Sequence, residues 1–361
     1  MKCIYLNPIL EAGLHQDVSF QKKVSYTGNN TGNMVFVDAI KQQLIYEKEV
    51  RLGDPILNEI GEDYIGVLSC ANMINISDPI LEAYVDPICD LKFSITLAGL
   101  GAQGTKELNT PHKLMEAMPK ERIRALLRLC ERVVSIGIRG EFTAECLELV
   151  GIRNYHIIGC PSLYQYEENF RELKQPHTDK CVFYTATKLA YEHKILEFAI
   201  RNNMKWILQS MTDMPLTVYE NRSITDEVVQ RNFPGYHGDI GLLEKYMRKN
   251  AVMFFRMKEW YEYLEKEDFT FSFGGRFHGN VAAMRSGIPA LWIVHDSRTK
   301  ELTQIFDLPS IDYLKLSKIK CVEELIDYCS YEKFYKKYPR MFHEYNQFLK
   351  ENGIDSVWKR G

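Results

Sequence analysis

No apolar stretch of this 361-residue chain approaches the roughly 20 residues needed to cross a bilayer. The first twenty residues, MKCIYLNPILEAGLHQDVSF, carry neither a secretory apolar core nor a small-residue cleavage site. Excess charge of one sign is also missing. Against 45 Lys and Arg stand 48 Asp and Glu, a formal net charge of -3, which argues against a chain built to coat nucleic acid but leaves room for a local basic cleft. The nine cysteines are odd in number and none is spaced as CxxC, so a disulfide framework or zinc site is not indicated. Also absent are the GxSxG elbow, the HExxH pair and the P-loop. These absences predict a soluble cytoplasmic protein with buried, reduced thiols.

What is present is ordinary globular composition, 45% hydrophobic and 26% charged, with a length that favours two domains. Short apolar runs alternate with longer amphipathic ones, the pattern of α/β architecture with mostly parallel strands. KCIYLN, DYIGVLSC, 93–98 and RVVSIGIR read as strands of a first half. Helices follow over 34–44, over 79–89 with Asp78 as cap, and over GEFTAECLELVG with Phe142, Cys146 and Leu149 turned inward. A polar, aperiodic stretch then reads as a linker. Beyond it come strand KCVFYT, a helix from about Leu189 to Asn202, strand KWILQS, and helices from about Thr225 to Glu267. FTFSF leads through GGRFHGN into another helix, and IPALWIV is the last strand expected. The reading places an N-terminal Rossmann-like domain at 1–164, a linker at 165–179, a second Rossmann-like domain at 180–330 and a crossover helix with tail at 331–361. Two such domains leave a cleft between them, and ligands of such sheets bind beyond the carboxyl ends of the strands.

The strand-to-helix junctions therefore hold the candidates. At Gly274-Gly275-Arg276-Phe277-His278 the glycines permit close approach of a ligand, and Arg276 offers a planar fork for phosphate or carboxylate. His278 lies near a helix start, whose dipole disfavours protonation until a bound dianion reverses the preference. Arg139 ends a buried strand, a costly place unless it meets an anion, with Glu141 or Glu145 as the simpler partner. The loops TGNNTGN and GLGAQG offer Asn30, Gly32, Asn33, Gly101 and Gln103 to hydroxyls or phosphate, with turn chemistry as the alternative use. No helix pattern opens at Gly104, which speaks against a dinucleotide fingerprint. His295, Arg298 and Lys300 follow the last strand and could close over a ligand, although Asp296 or Ser297 reads more simply as a helix cap. Cys160 has no base near it in sequence and reads as packing.

Taken in order, NTGN, GLGAQG, SIGIRGEFTAECLELVGI, GCPSL and RFHGNVAAMRSGIPAL with the following Lys300 resemble the polysaccharide pyruvyl transferase family over about Val24 to Leu308. One departure is Asn33, where the family usually shows Asp. The resemblance implies a fold like the GT-B glycosyltransferases, with the site between the domains. It implies phosphoenolpyruvate as donor and a sugar hydroxyl pair as acceptor, giving a pyruvate ketal and phosphate. It assigns Arg139, Arg276 and His278 to the donor. Ketal formation needs a general acid near the donor, for which His278 is the leading candidate, with Lys300 as a weaker contributor and Gly275 as a backbone contact. No metal or cofactor is implied beyond the co-substrate. Two readings compete: a glycosyltransferase using a nucleotide sugar, and a non-catalytic sugar- or anion-binding protein on the same scaffold. The C-terminal EKFYKKYPRMFHEYNQFLKEN reads as a helix crossing back onto the first domain. Its second reading is a basic-aromatic face that could rest on anionic lipid and serve a lipid-linked acceptor.

Overall fold

A computed structural model describes residues 2–9, 18–77, 80–185, 191–210 and 213–358. The Asp78 cap and the start of a helix at Leu189 lie outside these residues; the helix that follows is Glu192–Arg201. Strands β1 (Lys2–Asn7), β2 (Lys48–Arg51), β3 (Tyr64–Ser69), β4 (Ser94–Leu100), β5 (Ser135–Ile138) and β6 (Tyr155–Ile157) form one sheet in the order β2-β1-β3-β4-β5-β6. Strands β7 (Cys181–Tyr184), β8 (Lys205–Leu208), β9 (Ala251–Met253), β10 (Phe271–Gly274), β11 (Ala290–Val294) and β12 (Ser310–Asp312) form a second, ordered β12-β11-β10-β7-β8-β9. Every pairing is parallel. This is the two-sheet α/β architecture expected from the sequence. Central strands such as SITLAGL are buried almost throughout because helices cover both faces, so they read as continuous apolar runs rather than as alternation.

In each sheet the strand order reverses once. The reversal falls between β1 and β3 in the first sheet and between β7 and β10 in the second. At such a switch point the two flanking connections leave in opposite directions and open a crevice above the strand ends. The stretch 165–179 holds neither strand nor helix, and its Phe170 packs edge-on against Phe334 and Tyr338.

The C-terminal helix Glu332–Glu351 returns to the first sheet. Tyr345 stacks on Tyr164 at 4.5 Å and donates from Oη to Gln43 Oε1 at 2.7 Å. Phe348 meets His156 of β6, and the chain beyond the helix bonds the 43–45 segment through Ile45 N to Asp355 O and Val357 N to Gln43 O. The aromatic residues Phe334, Tyr338, Phe342, Tyr345 and Phe348 are buried in the protein, so they do not form the exposed aromatic half of a lipid-facing surface. Among the described residues no helix is long and apolar enough to cross a membrane. All nine cysteines are free, and seven of them are buried.

Three short strands escape the sequence pattern: β2, β9 and β12 have four, three and three residues. The helices expected from 225 to 267 are Asp226–Asn232, Ile240–Asn250 and Met257–Glu267, with the unexpected β9 between the last two. Leu149, expected to face inward, is 41% exposed; Leu147 takes the buried position.

Candidate active site

The carboxyl ends of both sheets face one cleft of about 520 Å³. The first domain contributes the segments after β1, β3 and β4, among them Asn72, Gln103 and Thr105, together with Asn30, Asn33 and Phe36. Among the described residues the second domain contributes Arg276, His295 and Arg298. All three follow from strand ends: Arg276 comes two residues after β10, His295 directly after β11, and Arg298 in the first turn of the helix Ser297–Phe306.

Arg276 stands at the switch point of the second sheet. Its Nε donates to Thr185 O at 3.0 Å, and its Nη2 donates to Ser210 Oγ. Gly274 makes this turn possible. Its φ is +144°, and a Cβ there would lie 1.9 Å from Tyr184 O, so no other residue fits. The glycine thus serves strand packing, not the approach of a ligand. Gly275 is buried against Glu192 and does not line the cleft.

A polar relay links the two domains under the cleft. Arg139 Nη1 donates to Asn72 Oδ1, Asn72 Nδ2 to Gln103 Oε1 at 3.0 Å, and Gln103 Nε2 to Asp296 Oδ2 at 2.9 Å. Asp296 is also the N-cap of its helix, accepting from Thr299 N at 2.7 Å. Around the same carboxylate lie His295 Nε2 at 3.5 Å and Arg298 Nη2 at 3.6 Å. Gly104 N donates to Ser297 Oγ at 2.9 Å, which pins the 296–298 turn to the first domain on a second side. Glu301, one turn further, accepts from Thr143 N at 2.7 Å and from Thr143 Oγ at 3.0 Å.

Arg139 and His278 sit one layer behind the cleft surface. Arg139 is 1% exposed; its guanidinium lies 6.0 Å from the centre of the Phe36 ring, and its Nε is buried without a partner. Gly101 is its seat, since a Cβ there would come within 2.7 Å of Arg139 Cδ. The His278 ring packs on Phe36 at 5.2 Å, and its Nε2 faces Cys160 Sγ at 3.5 Å. The fold thus supplies Cys160 with the neighbouring base that sequence spacing does not show.

Electrostatics follow from this crowding. Burial, then the Arg139 and Arg298 charges, push His278 well below the ordinary histidine range, so its resting imidazole is neutral. Burial and Arg298 likewise lower His295 against the opposing pull of Asp296. Burial, followed by Arg298, brings Arg276 down to about 10, and burial also lowers Arg139. Asp296 is lowered as well, but against its own burial. Burial would raise it, but Arg298, His295 and the Thr299 N–H outweigh that and hold it at about 2. Burial lifts Glu301 to about 7 despite the two Thr143 donors and Arg139.

Of the residues singled out from sequence, Arg276, His295, Arg298, Asn30, Asn33 and Gln103 line the cleft. Asn30 and Asn33 are also engaged in turn chemistry, Asn30 Oδ1 accepting from Gly32 N at 3.1 Å and Asn33 Nδ2 donating to Thr27 O at 3.1 Å. Gly32 is buried beside Gln209 of the second domain and does not reach the cleft. Lys300 is not brought to this cleft either: it is exposed and lines a neighbouring cavity of about 620 Å³. Asn72, the bridging role of Asp296, and Glu301 were not legible in sequence. A polar residue two positions after the strand DYIGVLSC was the available signal for Asn72.

A family model described as polysaccharide pyruvyl transferase matches residues 111–297, a span that holds Arg139, Arg276 and His278 and stops one residue short of Arg298. Among curated protein sequences none matches this chain. Solved structures with related arrangement include MnaA of S. aureus with UDP, at 11% identity and TM-score 0.45 over 98% of this chain and 97% of that one. A functionally uncharacterised protein of Klebsiella pneumoniae is similar at 11% identity and TM-score 0.41, covering 84% and 87% of the two chains. An α,α-trehalose-phosphate synthase of Burkholderia vietnamiensis is similar at 6% identity and TM-score 0.41, covering 98% and 96%. Likeness at this level assigns no activity.

Proposed function

The chain belongs to the polysaccharide pyruvyl transferase family, and from that premise we propose that it moves the pyruvyl group of phosphoenolpyruvate onto two hydroxyls of a sugar, in a surface polysaccharide or its lipid-linked precursor. The observation that carries the reading is that Arg276 lines the cleft from the second domain while Arg139 of the first domain and His278 stand directly behind its surface, both against Phe36. Phosphoenolpyruvate carries a phosphate and a carboxylate on a three-carbon frame. Arginines from opposite sides suit it because each can bind an oxyanion with a planar fork.

The chemistry balances as follows. A proton adds to the methylene carbon, leaving positive charge at C2. One sugar hydroxyl adds to C2 and gives up its proton, and the C2–O bond to phosphate breaks with its electron pair going to phosphate. The second hydroxyl then closes the ketal and gives up its proton. Of the two hydroxyl protons, one is accounted for in the new methyl group and the other in the released phosphate. The scheme as written uses no metal ion.

His278 is the proton donor in this reading. Its neutrality at rest is a consequence of burial and flanking cations. A bound dianion offsets those cations and favours the imidazolium, so the acid forms only where donor is present. Asn30, Asn33 and Gln103 face the acceptor side of the same cleft as uncharged partners for hydroxyls. The test is phosphate release from phosphoenolpyruvate in the presence of acceptor. Arg276→Ala and His278→Ala should abolish it with the fold intact by circular dichroism, and near-normal turnover in either variant would remove that residue from the site. Binding of radiolabelled phosphoenolpyruvate unchanged by Arg139→Ala would take this arginine out of the clamp. Thermal stabilisation by UDP but not by phosphoenolpyruvate would favour a nucleotide-sugar transferase instead.

A further inference from the structure

We propose that Cys160 is a positioning residue for His278. Its thiol donates to Nε2, holds the imidazole in one of its two flipped orientations and places the ring proton of the resting state on Nδ1, the nitrogen that delivers it to the donor. The inference rests on the reading of His278 as proton donor given above.

The ring needs such a partner. Phe36 packs on it at 5.2 Å, and Phe277 stands edge-on at 5.4 Å. A half-turn of the imidazole exchanges each nitrogen for a carbon at nearly the same place, so contact with these aromatic rings hardly distinguishes the two orientations. Arg139 and Arg298 disfavour charge on the ring as a whole. Among the described residues, the hydrogen-bond partner of the ring is Cys160 Sγ, 3.5 Å from Nε2.

The groups around the thiol set the direction of that bond. Cys160 and Ser162 are both 0% exposed, and their Sγ and Oγ are 3.0 Å apart. Among the described residues Ser162 Oγ has no other partner, so its hydroxyl is satisfied by donating to sulfur. The S–H then donates to Nε2, and a neutral imidazole whose Nε2 accepts carries its proton on Nδ1. When a bound dianion brings the ring to imidazolium, Nε2–H donates to sulfur and S–H turns to Ser162 Oγ. A thiol both donates and accepts, so Nε2 keeps its partner in either state. In the transfer, the Nδ1–H bond breaks with its electron pair left on the ring. The proton becomes the third hydrogen of the methyl group, and a sugar hydroxyl proton restores the ring.

Cys160 is carried by a turn with little freedom. Gly159 has φ +69°, and a Cβ there would lie 2.4 Å from Phe306 Cζ. Gln43 Nε2 donates to Pro161 O at 2.7 Å, and Arg285 Nη1 to Ser162 O at 3.1 Å. This turn belongs to the first domain and His278 to the second, so the acid is oriented only while the two domains are docked.

The experiment uses the full chain labelled with 15N-histidine, the His278 signals being assigned by their loss in His278→Gln. Long-range proton–nitrogen spectra of the wild type without ligand should show His278 as the Nδ1–H tautomer. Cys160→Ser, which still donates and accepts, should keep that tautomer and most of the turnover of phosphoenolpyruvate. Cys160→Ala should lose the single tautomer and lower kcat by about 10- to 100-fold, part of what a positioned acid contributes, with KM for phosphoenolpyruvate little changed. If Cys160→Ala fails to fold by circular dichroism, the wild-type tautomer and Cys160→Ser carry the comparison. A wild-type Nε2–H tautomer, or a folded Cys160→Ala with tautomer and kcat unchanged, would overturn the role of Cys160; turnover by the wild type would leave the donor reading standing. The predicted tautomer with no turnover of phosphoenolpyruvate against any acceptor would overturn the acid role of His278 and leave only its pairing with Cys160.

Discussion

At the scale of single residues, the site depends on a few atoms with no room to spare. Gly101 is the seat of the Arg139 side chain, so Gly101→Ala should push that guanidinium off Asn72. The expected result is a clear loss of phosphoenolpyruvate turnover with far-UV circular dichroism unchanged; full activity would show that Arg139 can be displaced without cost. Glu301 gives a pH prediction. Its folded-state value of about 7 lies above the ordinary 4.5, so between these the native state binds more protons than the unfolded chain. Stability attributable to Glu301 is therefore fully present below about 4.5 and is lost as pH rises through about 7. Glu301→Gln imitates the protonated form and can still accept from Thr143 N. It should be more stable than wild type at pH 8, by on the order of 3 kcal/mol at most, and nearly equal to it at pH 5. Urea midpoints at the two pH values check this, and a variant weaker at pH 8 than at pH 5 relative to wild type would contradict it.

At the scale of elements, the C-terminal helix is the piece that ties the second half back to the first. Tyr345 is fully buried, stacked on Tyr164 and bonded to Gln43. Tyr345→Ala should cost roughly 3–5 kcal/mol, the range for deleting a large buried ring, read as a lower urea midpoint. Long elements were legible in the sequence because their periodicity is strong: the buried strands around β3, β4 and β5, and the helices after β5 and β10. The misses have local causes. β9, with three residues between two helices, is too short to show a period of two and is recognised only by its pairing with β8. Arg298 and Lys300 illustrate the same limit at the site. On a helix two positions apart means about 200° of rotation, so only one can face the cleft, and the choice is made by the Asp296 cap and its bond to Gln103, a contact 193 residues away in sequence. Arg139 and Arg276 were legible because a charged residue within two positions of the end of an apolar strand is unusual in itself. Asn72 was not, because a small amide after a strand is common turn chemistry.

At the scale of the whole molecule, the halves meet on more than one side of the cleft. Thr31 N bonds Gln209 O at 2.9 Å, and Arg285 reaches Ser162 O and Gln42 Oε1 from the second domain. Gln103 and Thr143 reach in the opposite direction to Asp296 and Glu301. Asp296 is the node, since it joins the domains and neutralises part of the Arg298 and His295 environment at once. Asp296→Asn should destabilise the chain by about 3–5 kcal/mol by leaving buried positive charge uncompensated, and phosphate should restore part of that loss; a variant as stable as wild type in urea would contradict the role. The near balance of charge over the chain conceals this local arrangement, in which Arg276 and Arg298 line one cleft and Arg139 stands behind it. The central claim is that the cleft is built for phosphoenolpyruvate and a sugar. Its most direct test is to incubate the full chain with phosphoenolpyruvate and galactose-, glucose- or N-acetylmannosamine-terminated acceptors, measuring phosphate and product mass together. The account predicts one phosphate released for each acceptor that gains the mass of pyruvate less one water. Absence of both products with every acceptor, under conditions where the chain is folded, would contradict it.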